Sequence, residues 1–309
     1  MPHGGEATVW VPKSKLSMEE LEIEGRGPAA LAPGLYLVAT PIGSARDVTL
    51  RALDILGGAD LLAAEDTRQA RKLLDIHGVR RESRTILPYH DHNGAQMRPR
   101  LLAAIAEGRS VALVSDAGTP LVADPGWRLA AEAIAAGLPV TAAPGASALL
   151  AALSVAGLPT DRFLFAGFLP PKQAARRRAL GELAAVPATL VFYESPRRLA
   201  EALADMAAAL GDRPAAVCRE LTKRFEEVRR DRLAALAAAY EAGPEPRGEI
   251  VVVVGPPLAA ELDPEALDAA LAAALEGGSV RDAAAEVADR LGLPRRQVYA
   301  RALELARDR

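Results

Sequence analysis

Short apolar runs alternate with longer segments of helical periodicity, and this alternation limits the fold more than any other feature of the chain. The first runs cover residues 35–39, 60–64, 111–115 and 140–143, and the stretches between them are rich in Ala, Leu and Arg. Strands that alternate with helices in this way form a parallel sheet covered by helices on both faces. The pattern therefore predicts an α/β fold.

A second series of strands predicts a second α/β domain. Its runs cover residues 163–167, 189–193, 215–219 and 249–254, and Gly/Pro-containing segments at 157–160 and 255–257 interrupt the pattern. We therefore predict a flexible N-terminal extension over 1–30, α/β domains over 31–150 and 151–258, and a helical tail over 259–309. Within the tail, the helix, Gly-containing turn and second helix are typical of a helix-turn-helix.

Several helices have clear start and stop signals. Asp124-Pro125, Ser195-Pro196 and Asp263-Pro264 each open a helical segment, and Gly137, Gly211 and Gly277 follow those segments. A short polar side chain can cap free amides, Pro needs no donor in the first turn, and Gly accepts the left-handed exit. We expect helices between these pairs of signals.

Composition favours a cytoplasmic protein without a membrane partner. No apolar run approaches the length of a membrane-spanning helix, and the N-terminus lacks the pattern of a secretory signal. The single cysteine, Cys218, suits a reducing compartment and is expected to be a small buried side chain. A net charge of −3 neither supports nor excludes a nucleic-acid partner, because a basic face can be local.

Three loops rich in Gly, Pro and Asp follow strands, at residues 40–47, 115–126 and 144–148. Ligands of open parallel sheets bind beyond the carboxyl ends of the strands. Small residues let the backbone approach a ligand, and free amides at helix starts can bind its polar groups. The chain lacks a Gly-x-Gly-x-x-Gly motif after the first strand and a Lys-Ser/Thr phosphate loop, which disfavours ordinary dinucleotide and nucleoside-triphosphate sites. These loops fit an adenosine-bearing cofactor held mainly by main chain. For each loop taken singly, an ordinary turn is the alternative, since turns need the same residues.

Six motifs, taken in their order along the chain, resemble those of the tetrapyrrole methylase superfamily. They are Thr40-Pro41-Ile42-Gly43-Ser44-Ala45-Arg46-Asp47, Glu65-Asp66-Thr67-Arg68, Ser115-Asp116-Ala117-Gly118-Thr119-Pro120, Pro144-Gly145-Ala146-Ser147-Ala148, Phe192-Tyr193-Glu194-Ser195-Pro196 and Arg219-Glu220-Leu221-Thr222-Lys223. Within the superfamily, the combination is similar to the methyltransferases that modify a cytidine 2′-oxygen in small-subunit ribosomal RNA. The chain departs from that pattern in its 30-residue extension and in Ser44, where asparagine is usual.

This resemblance implies a homodimeric enzyme that binds S-adenosyl-L-methionine in the cleft between two α/β domains. The implied target is a cytidine of the decoding region, in 16S rRNA or the small ribosomal subunit. Carried onto this sequence, the cofactor contacts are Pro41, Asp116, Gly118, Thr119, Asp124, Ser147, Ala148 and Tyr193. Two of these have simpler alternatives, since Asp124 can cap a helix and Tyr193 can end a strand at the edge of the core.

A positioned base assists methyl transfer to a hydroxyl, because the hydroxyl is a weak acid. The candidates are Glu65, Asp66 and Asp47, with Glu194 a weaker one. Asp47 can instead cap the helix that follows it.

Phosphate contacts are expected to position the RNA. The candidates are Arg68, Lys172, Arg176, Arg177, Lys223 and Arg224, with a solvated helix face as the alternative for the segment 172–178. Arg68 can pair with an adjacent carboxylate instead. The segment His90-Asp91-His92-Asn93 has too few ligands for a metal site and is better interpreted as a substrate-facing loop, so no metal is expected.

Three other functions compete with this hypothesis. A porphyrinoid (uroporphyrinogen or precorrin) methyltransferase shares the fold and cofactor but needs a wide cleft and no helical tail. The methyltransferases of diphthamide synthesis match the motifs less well. A non-catalytic nucleic-acid-binding module would use the helix-turn-helix of the tail, but it leaves the three ligand-type loops unexplained.

Overall fold

The computed structural model describes residues 31–81, 85–257, 264–291 and 295–307. These form two compact units: a first unit of residues 31–41 and 45–146, and a second unit of residues 42–44 and 147–307. The predicted extension over 1–30 and the predicted cap at Asp263 lie outside the described residues. The predicted domain bounds at 150 and 258 stay a prediction.

The first unit contains a five-stranded, wholly parallel sheet in the order β3-β2-β4-β1-β5. Its strands are β1 (Gly34–Val38), β2 (Leu61–Ala64), β3 (Thr85–Pro88), β4 (Ser110–Val114) and β5 (Val140–Ala143). Its helices are α1 (Leu50–Gly58), α2 (Thr67–Ile76), α3 (Gly94–Ala106) and α4 (Trp127–Ala135). The sequence did not predict β3, because this edge strand has four residues and only Leu87 is buried.

Helices cover both faces of this sheet. Leu61 and Ala63 face one apolar cluster, while Leu62 and Ala64 face another, as the two-residue period of a strand requires. Burial of each large aliphatic side chain contributes about 1.5–3 kcal/mol. The strand ends that carry the loops are therefore fixed by apolar packing on both sides.

The second unit contains a mixed sheet in the order β6-β7-β10-β8-β9. Its strands are β6 (Phe163–Phe168), β7 (Thr189–Glu194), β8 (Pro214–Arg219), β9 (Glu227–Arg232) and β10 (Ile250–Val254). Its helices are α5 (Ala148–Ala156), α6 (Gln173–Leu183), α7 (Leu199–Leu210) and α8 (Leu233–Ala242). The α/β class is confirmed, but the expectation of a parallel sheet is wrong here. Only β6 and β7 pair in parallel, because β8 returns directly into β9 without a crossover helix, and β10 lies antiparallel to both of its neighbours.

The tail consists of α9 (Pro264–Leu275), α10 (Val280–Leu291) and α11 (Arg295–Arg307). Leu271, Val287 and Val298 lie at the centre of its own apolar core. The predicted turn between the last two helices falls on residues 292–294, which are outside the described residues. No helix in the described part of the chain is long and apolar enough to cross a membrane.

The helix stops agree with the sequence better than the helix starts do. Gly137 and Gly211 have positive φ angles of 70° and 83° just beyond α4 and α7, whereas Gly277, beyond α9, does not have a positive φ, so the predicted left-handed exit is wrong there. The predicted caps Asp124 and Asp47 are wrong: α4 begins after Gly126 without a side-chain cap, and Thr49 caps α1 by accepting a hydrogen bond from the Ala52 amide. Ser195 precedes a 3-10 turn and makes no capping hydrogen bond.

Candidate functional site

The loops that follow β1 and β4 meet at the carboxyl end of the first sheet. The Thr40 amide donates to the Gly118 carbonyl at 2.8 Å, and the Gly118 amide donates to the Thr40 carbonyl at 3.0 Å. Gly118 has a φ of 81°, which favours glycine. The third predicted loop is held nearby, because the Thr119 hydroxyl donates to the Ala146 carbonyl at 3.0 Å. Three loops predicted separately thus form one edge.

Three carboxylates, Glu65, Asp116 and Asp124, are grouped at this edge, which we call the acidic edge. Burial raises the pKa of Glu65, and the charges of Asp116 and Asp124 raise it further. Burial also raises the pKa of Asp124, although a hydrogen bond with Ser115 opposes the shift. Asp124 therefore acts in this group rather than as a helix cap. The group as a whole favours a bound cation, because it concentrates negative charge where water is partly excluded.

Asp66, beside Glu65, has a pKa shifted in the opposite direction. Its carboxylate caps α2 by accepting from the Arg68 amide at 2.8 Å and also pairs with the Arg68 guanidinium at 2.7 Å. The hydrogen bonds from Arg68 lower the pKa of Asp66 to about 2. A carboxylate held in its charged form accepts protons poorly, so Asp66 is a weak candidate base. Arg68, predicted to bind RNA, is exposed but already paired.

The other two candidate bases lie in different settings. Asp47 is exposed in the 3-10 turn Ala45–Asp47. Glu194 is buried and accepts hydrogen bonds from the Ser195 amide at 2.7 Å and from Arg198 at 2.8 Å. Glu194 therefore has a structural role. Of the four carboxylates, Glu65 combines partial burial with a raised pKa.

The expected cofactor contacts are divided between the two units. Pro41, Asp116, Gly118, Thr119 and Asp124 belong to the first unit, and Ser147, Ala148 and Tyr193 belong to the second. Ser147 precedes α5 without a side-chain capping bond. Tyr193 packs edge-to-face on Phe165 and Phe168, with ring centroids 4.8 and 5.6 Å away.

Two of the predicted RNA contacts are engaged inside the protein. Arg176 is 1% exposed, and its Nε donates to Asp205 at 2.7 Å, so the prediction that it binds RNA is wrong. The sequence shows three consecutive arginines but not that the helix turns the first of them into the core. Lys223 pairs with Glu220 at 2.7 Å and with Glu249 at 2.6 Å, which neutralises its charge. A phosphate contact there competes with two ion pairs.

The remaining predicted cations are more accessible. Lys172 is exposed, Arg177 is half-exposed while pairing with Asp205, and exposed Arg224 stacks on Phe225 at 5.5 Å. These three stay candidates for phosphate contacts.

The structure also shows two concave surfaces that sequence reasoning missed. One is a cavity of about 290 Å³ in the first unit, lined by the segments 89–91 and 125–128 together with Gly94 and Arg98. The other is a groove of about 500 Å³ on the tail, lined by Arg281, Arg295, Arg296 and Tyr299. The pair Arg295-Arg296, one helical turn before Tyr299, was the available signal for the groove.

The segment His90-Asp91-His92-Asn93 does not bring its side chains together as a set of metal ligands. The rings of His90 and His92 lie 5.9 Å apart in a T-shaped arrangement. Among the residues that the structure describes, no group of three or more His, Cys, Asp or Glu side chains could hold a metal ion. Cys218 is buried, and burial raises the pKa of its thiol to about 11.

Comparisons with known proteins identify the family. The model for tetrapyrrole (corrin/porphyrin) methylases matches residues 34–237, and the model for the RsmI C-terminal HTH domain matches residues 260–306. The chain is 54% identical over 276 residues to the ribosomal RNA small subunit methyltransferase I of Mesorhizobium japonicum, covering 89% of this chain and 93% of that protein. It is 51% identical to the protein of the same name from Erythrobacter litoralis, covering 89% and 96%.

A solved structure extends the likeness to the fold. The uroporphyrin-III-C-methyltransferase from Thermus thermophilus aligns with a TM-score of 0.51 and 24% identity, over 72% of this chain and 94% of that one. Motifs, fold and relatives agree: the chain belongs to the tetrapyrrole methylase family and, within it, to the ribosomal RNA small subunit methyltransferases I.

Proposed function

We propose that this protein transfers a methyl group from S-adenosyl-L-methionine to the 2′-hydroxyl of a cytidine in the decoding region of 16S rRNA. The observation that carries the proposal is the near full-length match, at 54% identity, to a ribosomal RNA small subunit methyltransferase I. The second family match, over residues 260–306, extends it to the helical tail.

The first unit suits this cofactor in both shape and charge. S-Adenosylmethionine carries a methyl group on a positively charged sulfur, and methyl transfer forms a C–O bond as the C–S bond breaks. The acidic edge complements that positive charge. A Cβ on Gly145 would lie 2.9 Å from the Ala39 Cβ, so the loops are packed where only small residues fit. Pro41, Asp116, Gly118, Thr119 and Asp124 of the first unit would contact the cofactor.

Glu65 is the base that the geometry favours. Its carboxylate is partly buried beside Asp116 and Asp124, and this setting raises its pKa. It would accept the proton of the 2′-hydroxyl as the oxygen bonds to the methyl carbon. Asp66 is less suited, because its pKa is lowered to about 2 by Arg68. Asp47 lies on an exposed turn and serves as the comparison for tests of Glu65.

The tail groove is a reasonable surface for the RNA. Arg281, Arg295 and Arg296 line it together with Tyr299, which is 42% exposed. Arginines bind phosphates, and an exposed aromatic ring can stack on an unpaired base. Lys172, Arg177 and Arg224 of the second unit would add contacts elsewhere on the RNA.

Two further properties belong to the proposal. We expect a homodimer, as the resemblance implies. Sedimentation of the purified protein measures this directly, and a monomer at micromolar concentration contradicts it. We also expect a cytoplasmic location, since ribosomal subunits are the substrate.

Mapping the methyl group on the RNA tests the proposed reaction. Small subunits that lack the modification are incubated with enzyme and S-adenosylmethionine, and their 16S rRNA is then partially hydrolysed with alkali. A 2′-O-methyl group blocks cleavage at its nucleotide, so we expect one new protected position, at a cytidine. Methylation of a base, which leaves the cleavage ladder intact, would contradict the proposal.

A further inference from the structure

The cavity of about 290 Å³ in the first unit lies next to the acidic edge. The Tyr89 amide, at one wall, donates to the carbonyl of Ala64 at 2.8 Å, and Ala64 immediately precedes Glu65. The lining also includes Pro125, which immediately follows Asp124. A ligand in this cavity is therefore held beside the proposed base and one of its acidic neighbours.

The loop that forms the first wall is fixed in place. The Asn93 side chain accepts from the His90 amide at 2.9 Å and donates to the Pro88 carbonyl at 2.9 Å. Arg98 reaches from α3 to Glu132 of α4 at 2.8 Å, which ties the two helices that flank the cavity. A preorganised wall lowers the entropic cost of binding.

One feature of the lining is unexplained by folding alone. Trp127 lines the cavity but is 61% exposed. The guanidinium of Arg128 lies 5.3 Å from the centroid of the indole ring.

This combination matches the way proteins bind an unstacked RNA base. Such bases stack on aromatic rings and form hydrogen bonds through their Watson–Crick edge. Enzymes that modify nucleotides commonly take the target out of the helix into a pocket. The volume of the cavity, about 290 Å³, lies just below the usual range for ligand pockets, about 300 to 1,000 Å³.

We infer that this cavity binds the base of the target cytidine, with its ring against Trp127 and its Watson–Crick edge read by Asp91. The inference rests on the proposed function and assigns where its substrate lies. The Asp91 carboxylate accepts from the N4 amino group, a pairing that carboxylates make with cytosine. Uracil carries an oxygen acceptor at that position instead.

Trp127 and a matched control test the stacking contact. Trp127→Ala removes an exposed ring, Trp127→Phe restores an aromatic face, and Ile134→Ala truncates a residue of the same helix that is 64% exposed. The measurement is kcat/KM on small subunits that lack the methyl group, together with S-adenosylmethionine affinity by calorimetry. We expect Trp127→Ala to lower kcat/KM by about 10- to 100-fold, from the usual contribution of base stacking. Trp127→Phe and Ile134→Ala should stay near wild type, with cofactor affinity unchanged throughout.

Asp91→Asn tests the reading of the base edge. Subunits with cytidine or uridine at the target position are compared, and wild type should prefer cytidine. An amide can present either a donor or an acceptor, so the variant should lose most of this preference while methylating the uridine subunits at least as well as wild type does.

Either of two results would overturn the inference: activity of Trp127→Ala equal to that of Ile134→Ala, or an unchanged cytidine preference in Asp91→Asn. Failure of the wild-type enzyme to methylate subunits at all would instead refute the proposed function.

Discussion

Removal of the Asp205 carboxylate should destabilise the second unit strongly. Asp205 and Arg176 are each 1% exposed and joined at 2.7 Å, so Asp205→Ala leaves a guanidinium buried without its main counter-charge. Breaking a buried pair in this way costs about 3–5 kcal/mol. Arg176 has a second partner, Glu201, at 3.4 Å, but that carboxylate is 73% exposed. Glu201→Ala removes only a surface contact, for which about 0–1 kcal/mol is typical.

The two variants form a matched pair, since both remove a carboxylate from α7 that pairs with the same arginine. For a unit of this size, a loss of 3–5 kcal/mol lowers the melting temperature by about 6–20 °C. The assay is differential scanning calorimetry, with hydrogen exchange of the α6 and α7 amides to identify the unit that opens. If Asp205→Ala shifts the melting temperature no more than Glu201→Ala does, the ion pair between Asp205 and Arg176 does not stabilise the fold. Arg176 would then be a candidate RNA contact again.

The stability lost in Asp205→Ala should also depend on pH. Burial alone raises the pKa of Asp205, but hydrogen bonds from Arg177 and Arg176 outweigh this effect and the pKa is lowered in the folded protein. A lowered pKa stabilises the fold above the unfolded value, near 4, and this contribution is lost as the pH falls through the folded pKa. The difference between wild type and Asp205→Ala should therefore be full at neutral pH and shrink in acid. A difference that grows in acid would contradict this assignment.

Three further changes have defined outcomes. Glu65→Gln should lower kcat by about 100- to 10,000-fold and abolish the fall of kcat that the wild type shows at low pH. Asp47→Asn should have neither effect. Equal kcat losses in the two variants would reject Glu65 as the base. Gly43→Ala would place a Cβ 2.7 Å from the Thr222 hydroxyl, so calorimetry should show that the free energy of unfolding falls by about 1–3 kcal/mol. An unchanged melting temperature would show that the loop shifts to accept the methyl group at no cost. Arg296→Ala should reduce the salt dependence of 16S rRNA binding by about one charge, and an unchanged slope would remove the tail groove from the RNA surface.

The first sheet was predictable because its strands are buried on both faces. Such strands appear as short apolar runs, and the loops that follow them carry residues that are unusual for plain turns. The sequence therefore placed the loops at 40–47 and 115–126 on one edge, where the Thr40–Gly118 hydrogen bonds join them. It did not rank the carboxylates, because their pKa values depend on contacts such as the Asp66–Arg68 pair and on how deeply each group is buried.

The second sheet was less predictable because an apolar run does not indicate the direction of the strand that it forms. The strand β9 has no apolar run to indicate it, since most of its side chains are charged and exposed. The sequence also does not show which charged side chains are buried. Adjacent arginines on a helix point in different directions, so Arg176 enters the core while Arg178 stays in solvent. The cavity beside Glu65 combines residues 89–98 with residues 125–128, at least 27 residues apart, and only the folded chain brings them together.

The decisive experiment measures methyl transfer from labelled S-adenosylmethionine to two substrates offered in parallel. One is the small ribosomal subunit lacking the modification, and the other is uroporphyrinogen III, the kind of substrate expected for the porphyrinoid alternative. We predict label on a cytidine ribose of 16S rRNA and none on the macrocycle. Label on the macrocycle alone would leave the fold and the family in place but would contradict the proposed substrate.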